Sequence, residues 1–447
     1  MTERPPRAEN RDERREEAGG SADPDPLRPS RRGLLGMVGA GIAGAAVGLG
    51  GGVALSAAGV GAGGGSAQRS GTVPFHGEHQ AGIVTPAQDR LHFASFVMVR
   101  GSSRDDLVSL LRDWTAAAES LTRGAEIGTG VEPGNALLPP DDTGEAEGLG
   151  AGRLTLTFGL GRELFVGSDG AGDPYGIRDR LPADFEPLPS FAFDLLEESA
   201  SGGDLCVQAC ADDPQVAVHA IRNLARIGMG RAHLKWSQLG FGRTASTSRE
   251  QDTPRNLFGF KDGTANIMSD EGRALADNVW VGAEGPSWLQ GGSYLVARKI
   301  LMTIETWDRG SLREQETIIG RTKLEGGPLS GGGEFDAPDF AALDPGGGSA
   351  PAIDLAAHIR LAHPDNNRGA RMLRRGYNYV DGSNPLGQLG AGLFFISFQR
   401  SPEIFVRVQN SLKPDLLNEY IRHIGSGLWA VPRGVASGEF LAQPLFE

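Results

Sequence analysis
The chain predicts an α+β fold made of two ferredoxin-like units in tandem, each with an antiparallel sheet. Three observations predict it. Residues 91–241 run through strand, helix, strand, strand, helix and strand patterns, the β-α-β-β-α-β order of that unit. Residues 293–424 open the same way, with a strand pattern followed by a capped helix. A Thr/Ser-rich polar stretch near 245–255 separates the two. Residues 1–70 then form a disordered region plus a targeting segment, 71–250 the first unit and 251–447 the second.

The elements follow in order. Residues 91–99 are rich in aromatic and β-branched residues and read as a strand. In 105–119, Leu107, Leu110, Leu111 and Trp114 recur on one helical face. Residues 154–158 alternate as a half-buried strand, and 204–209 form another. The helix 214–226 turns Val218, Ile221 and Leu224 inward, and 233–241 is a further strand. In the second unit, 293–307 reads as one long strand. Ser311 and Glu314 hold the spacing of a capping box, and Gly320 ends the helix they open. Residues 392–398 are a strand; 403–412 and 414–424 read as helices. The Gly/Pro-rich stretches 124–152 and 325–351 are long loops, a length that in a compact domain usually accompanies function or mobility.

Composition excludes some functions. The formal net charge of -13 argues against a nucleic-acid backbone as partner. Only two cysteines are present, Cys206 and Cys210, so no Cys-only metal site can be completed. Four residues apart on one strand, they point the same way but lie too far apart for a disulfide. The expectation is two small buried thiols.

The N-terminus reads as an export signal. Residues 1–29 are polar and charged. Arg31 and Arg32 then precede a stretch from Gly33 to Ser66 with no charged residue, dominated by Gly and Ala. Twin arginines before a weakly apolar run are the pattern of twin-arginine (Tat) export. The run is long enough to span a bilayer, but its glycines make a poor membrane helix. We expect export with cleavage, no stable membrane span afterwards, and an extracellular or envelope location.

The chemistry centres on Gly259-Phe260-Lys261-Asp262-Gly263, within a run from Asn256 to Asn266. Two glycines flank one carboxylate, and glycine permits backbone conformations and close approaches that other residues resist. Taken alone, the motif is equally an ordinary Asp turn. His76 and His79 form an H-x-x-H pair without a third ligand at a diagnostic spacing. His358 and His363 lie in Ala357-His-Ile-Arg-Leu-Ala-His-Pro364, and Pro364 biases His363 towards an extended conformation. His358 is a candidate metal ligand sixteen residues before the pair Arg374-Arg375.

Five segments in order carry a resemblance. They are 256–266 with its G-x-x-D-G, Ser293-Tyr-Leu-Val-Ala-Arg-Lys, Gly320-Arg-Thr-Lys323, His358-Ile-Arg-Leu-Ala-His-Pro and Leu373-Arg-Arg-Gly-Tyr. Together they resemble the dye-decolourising peroxidase family, over roughly residues 72–447, in its Tat-exported, deferrochelatase-like branch. The resemblance implies haem b, with one iron, in the second unit. It implies His358 as the proximal iron ligand, Asp262 as the distal carboxylate and Arg374 as the distal arginine, with Arg375 as the neighbouring alternative. Gly263 would lie against the haem, and Arg298 and Arg321 would pair with its propionates. The partners implied are hydrogen peroxide and a dye or other organic electron donor. The alternative is a haem-binding protein that releases iron. Trp307, Tyr377, Tyr379 and Tyr420 are candidates to carry electrons from large substrates, and alternate residues of 393–398 could line the pocket or be plain core. A ligating imidazole also needs an acceptor for its other nitrogen, which the sequence does not name.

Overall fold
The computed structural model describes residues 71–447 apart from 132, 133, 135, 347 and 348. The export signal expected around Arg31 and Arg32 lies outside these residues.

The first unit contains β1 (Arg90–Met98), α1 (Arg104–Thr122), β2 (Thr155–Leu160), β3 (Leu205–Ala211), α2 (Pro214–Gly228) and β4 (Ala232–Arg243). Its strands lie in the order β2-β3-β1-β4, all antiparallel. The second unit contains β5 (Ser293–Met302), α3 (Leu312–Ile319), α4 (His358–Ala362), β6 (Leu373–Arg374), β7 (Tyr377–Ser383), β8 (Leu389–Gln399), α5 (Pro402–Ser411) and β9 (Ile421–Val431). Its four long strands repeat the order as β9-β5-β8-β7, again antiparallel. The halves do not keep separate sheets. Leu160 of β2 pairs with Ala430 of β9, and Phe241 of β4 with Asn378 of β7. Joined at both edges, the strands make one continuous sheet that closes on itself.

The period-two alternation of each strand separates two environments. Leu91, Phe93, Cys206, Cys210, Leu295, Ala297, Phe394, Ile396 and Trp429 point inward and form one buried cluster. Ala94, Phe96, Val207 and Ala209 point outward, where Leu110, Leu111 and Trp114 of α1 and Ile221 and Leu224 of α2 cover them. Both helices start on caps that satisfy free N–H groups. Ser103 and Asp106 close a reciprocal capping box on α1, and the Asp213 side chain accepts from Gln215 N ahead of Pro214 in α2.

Several expectations need correction. β2, expected to be half-buried, is buried along its whole length, and in α2 Val216 and Ala217 are buried while Val218 is only partly so. The stretch 293–307 is not one strand: β5 stops at Met302, and Ile304–Trp307 is a helical turn that buries Trp307 completely. The stretch 414–424 is not a helix. It holds a short 3-10 turn, Leu416–Glu419, and then β9, which pairs along β5 from Met302↔Ile421 to Ser293↔Val431. Ser311 caps α3 as expected, and Gly320 ends it with φ 90°. The Glu314 carboxylate does not close the box; it accepts from the Tyr420 hydroxyl at 3.1 Å.

Cys206 and Cys210 are both buried and unbridged. Burial pushes the Cys206 thiol well above its ordinary value, and the Tyr377 hydroxyl donates to Cys210 Sγ at 3.4 Å. No group of three or more metal-ligating side chains occurs among the described residues. His79 instead stacks on Trp280 at 3.7 Å, and His76 meets Glu119 at 2.9 Å. Among these residues no helix is long and apolar enough to cross a membrane.

Candidate active site
A cavity with about 1850 Å³ of empty space, part of it open to solvent, lies on the outer face of the second unit. The strands supply its floor. Arg298, Ile300 and Met302 of β5, Leu393 and Phe395 of β8, and Ile421 and His423 of β9 line it. The alternate residues Phe394, Ile396 and Phe398 face the interior of the closed sheet. His358, Ile359, Ala362, His363 and Pro364, on and after α4, and Phe405, Val408 and Leu412, on and after α5, form a second wall. Asp262, Gly263, Arg374, Arg321 and His358 all line this one cavity.

His358 is the first residue of α4. Its Nδ1 meets Asp415 Oδ2 at 2.6 Å, and Asp415 is buried. The other oxygen of Asp415 accepts from Leu417 N at 2.9 Å, so one carboxylate both caps the 3-10 turn and fixes the imidazole. No partner for Nε2 occurs among the described residues. Burial acts to lower the His358 pKa, but the adjacent Asp415 carboxylate outweighs it and holds the imidazole above its ordinary value. A carboxylate on Nδ1 with Nε2 left free is the arrangement that fixes tautomer and orientation in a metal-ligating histidine. His363 follows the helix with φ −66° and ψ 142°, extended as Pro364 requires, and its Nδ1 accepts from Asp365 N.

Opposing charges meet on the G-x-x-D-G loop. Arg374 Nη1 donates to Asp262 Oδ1 at 3.0 Å, and Asn256 Nδ2 to Oδ2 at 3.2 Å. Both members of the pair are partly exposed to the cavity, at 29% for Arg374 and 19% for Asp262. Gly259 and Gly263 adopt φ 82° and 81°, the left-handed region. At Gly263 a Cβ would lie 2.7 Å from Ala245 Cα, so the loop can approach that segment only with glycine there.

The two neighbouring arginines point different ways. Arg374 faces the cavity. Arg375 turns the other way, fully buried, and donates to Thr85 O and Gln88 Oε1. It holds the segment before β1 against the second unit.

Arg298 lines the cavity but is already committed. It forms an ion pair with Asp194, donates to Ser426 Oγ at 2.9 Å and lies over the Phe191 ring. His423 sits beside this group with its Nδ1 3.8 Å from Asp194 Oδ1 and without a hydrogen bond, and burial, then Arg298, lower its pKa to about 3. Arg321 donates from Nη1 to the carbonyls of Gly326 and Glu334, at 2.6 and 2.8 Å.

Asp415 and Asn266 were the residues that sequence reasoning missed as parts of the site. Asp415 sits in a segment read as helix. Asn266 ends the run from Asn256, where its residue type alone points to no chemistry.

The lining fits a haem. One imidazole, held at Nδ1 by a buried acid, keeps its Nε2 free, the walls are largely aliphatic and aromatic, and an acid–guanidinium pair and further arginines line the same space. Comparison with known proteins agrees. Residues 80–242 match the family described as Dyp-type peroxidase, N-terminal, and 253–436 match Dyp-type peroxidase, C-terminal. A deferrochelatase of Escherichia coli is 37% identical over 380 residues, 83% of this chain and 86% of that protein. A Dyp-type peroxidase of Streptomyces coelicolor superposes with a TM-score of 0.77 at 38% identity, covering 85% of this chain and 98% of that one. Ferric DtpA of Streptomyces lividans gives 0.76 at 38% identity, covering 85% and 98%. With both halves matched in order, this chain belongs to the Dyp-type (dye-decolourising) peroxidase family of haem-dependent oxidoreductases.

Proposed function
We propose that the protein binds haem b in this cavity and uses it to reduce hydrogen peroxide at the expense of an organic donor. The observation that carries the reading is the pairing, around one cavity, of His358 on Asp415 with Asp262 on Arg374. Bound haem would supply a ferric iron as Lewis acid and redox centre. His358 would hold that iron through Nε2 while Asp415 keeps the proton on Nδ1. The Asp262 carboxylate would take the proton from one peroxide oxygen and return it to the other as the O–O bond breaks. Arg374, always cationic, would stabilise the negative charge that develops on the leaving oxygen. Reducing one peroxide to two waters consumes two electrons and two protons, and the organic donor supplies the electrons. Gly263 would let the loop lie close to the macrocycle. Arg321, whose partners are neutral carbonyls, is better placed than the Asp194-paired Arg298 to meet a propionate.

The deferrochelatase name of the relatives supports a second reading, iron release from haem in the same cavity. Ferric protein mixed with peroxide separates the two. A shifted Soret band and dye turnover are expected, and Arg374→Ala should slow the peroxide step by roughly 100-fold while haem is retained. No dye turnover, with iron set free and the haem Soret band replaced by that of metal-free porphyrin, would favour the second reading.

The His358–Asp415 contact also sets a pH dependence. Proton and iron compete for Nε2. Because the carboxylate raises the pKa of His358, haem affinity should be full above that raised value and fall as pH drops through it. Asp415→Asn removes the carboxylate and leaves burial, which lowers the pKa, so competition should move to lower pH. At neutral pH the variant should bind haem roughly 10- to 100-fold more weakly. Equal affinities and equal pH profiles in haem titrations would contradict this role.

Expected at the surface, all four aromatic candidates are buried; Trp307 and Tyr420 have a continuous path to the cavity. Phe258 and Phe260 line it, Phe258 stacks on Trp307 at 4.2 Å, and Tyr420 meets Trp307 edge-on at 5.0 Å. The Tyr420 hydroxyl bonds to Glu314, a carboxylate able to take its proton when an electron leaves. Tyr377 and Tyr379 donate to Cys210 and a backbone carbonyl instead. Tyr420→Phe should lower turnover of bulky dyes several-fold, with the peroxide step unchanged; unchanged dye turnover would remove Tyr420 from the route.

The Arg31-Arg32 pair supports export by the twin-arginine route. Replacing both by lysine should leave the protein in the cytoplasm, and export at the normal level would contradict that assignment.

A further inference from the structure
Asp262 and Arg374 are far apart in sequence, yet the site needs them at one fixed separation. The side-chain ion pair alone does not secure that. Both side chains are partly exposed to the cavity, and exposed ion pairs contribute little to holding geometry. A third residue is better built for the task.

Asn266 lies three residues beyond Gly263 and is 4% exposed. Its Oδ1 accepts from Arg374 N at 2.7 Å. Its Nδ2 donates to Arg374 O at 2.9 Å and to Ser246 O at 2.9 Å. One amide therefore grips both polar groups of the Arg374 backbone, as a neighbouring strand would. The orientation of the amide is fixed by chemistry, since a flipped amide would set two carbonyls against an oxygen and an N–H against an NH₂. The Asn266 main chain closes the turn after Asp262 as well, with Asn266 N donating to Gly263 O at 3.0 Å. The contacts form a ring: Asp262 joins Gly263 by the chain, Gly263 joins Asn266 through the turn, Asn266 clamps Arg374, and Arg374 returns to Asp262 at 3.0 Å.

The strand cannot supply this hold unaided. β6 is two residues long, and its pairing with β8 leaves the opposite side of Arg374 for the clamp. Gly376, two residues on, adds no side chain to the packing.

We propose that Asn266 is a positioning residue for peroxide activation, setting the distance and facing of Asp262 and Arg374 through the Arg374 backbone without touching peroxide or haem. The proposal rests on the peroxidase reading. Wild-type haem protein that does not react with peroxide fails that reading. Wild-type protein that reacts, with a variant that reacts equally well, fails the clamp alone.

The test is a double-mutant cycle on the haem-loaded protein, with Asn266→Ala, Arg374→Ala and the double variant. The rate of the ferric protein with hydrogen peroxide is followed at the Soret band. Fluoride affinity of the ferric protein is measured alongside, because bound fluoride depends on a distal hydrogen-bond donor without any turnover. Asn266→Ala should slow the peroxide step roughly 10- to 100-fold, the scale of a misplacement near 1 Å, and weaken fluoride binding. In the Arg374→Ala background the same change should alter either quantity by no more than about twofold, since residues acting through one another are not additive. An Asn266→Ala protein within about twofold of wild type in both readouts overturns the proposal. An equal loss in both backgrounds also overturns it. If Asn266→Ala does not hold haem, Asn266→Ser, which keeps a hydroxyl at the clamp, is put through the same cycle. Failure of both variants to fold and bind haem overturns the proposal too, because Asn266 is then required for folding rather than for positioning.

Discussion
The two-sidedness of the second half of the closed sheet is the constraint on which the site depends. β5, β8 and β9 each alternate between an inner face and an outer one. Leu295, Ala297, Phe394, Ile396 and Trp429 go inward and complete a continuous apolar interior. The same register sends Arg298, Ile300, Leu393 and Phe395 outward to the cavity floor, and a bulge in β9 between His423 and Gly425 turns His423 outward with them. A slip of one residue would exchange the two sets and place Arg298 in the apolar interior. The burial of the inner face therefore fixes the identity of the floor.

On that floor, charges are settled in pairs before any ligand enters. Asp415 sits on His358, Asp194 on Arg298, Asp262 on Arg374, and Glu334 on Lys261. The pairs differ in depth. Arg298 and Asp194 are buried together, which makes theirs a fixed part of the wall. His358 and the Asp262–Arg374 pair keep access to the cavity. The groups assigned to chemistry are thus the ones with a face still open, while their partners hold them in place. Lys261 and Glu334 add a link between the G-x-x-D-G loop and the long Gly-rich segment after α3, giving that loop a second anchor.

Much of this was legible in the sequence. The first unit's strands and helices carry clear periodicities, and the structure keeps them with shifts of a few residues at the ends. The choice of Arg374 over Arg375 comes from the resemblance; in the structure Arg374 lines the cavity and Arg375 is buried away from it. What the sequence hid was decided by contacts between distant segments. Pro414, the leucines after it and Ile421 have helical spacing, but pairing with β5 claims residues 421–431 for a strand. Its two glycines, which look like strand breakers, are needed there: a Cβ at Gly425 would meet Ala200 O at 2.5 Å, and at Gly427 the Trp429 ring at 2.0 Å. Asp415 was lost with the same misreading. The fusion of the two sheets was equally invisible, since it rests on a few pairings at the edges of β2, β4, β7 and β9.

The proposed function needs His358 and the Asp262–Arg374 pair to meet one haem in this cavity. A crystal structure of the haem-loaded protein tests this most directly. The account predicts iron bound to His358 Nε2, Asp415 still on Nδ1, and Asp262 with Arg374 facing the open side of the iron. Iron bound through His363 or another group, or a haem with His358 and Asp262 on the same side, would contradict it.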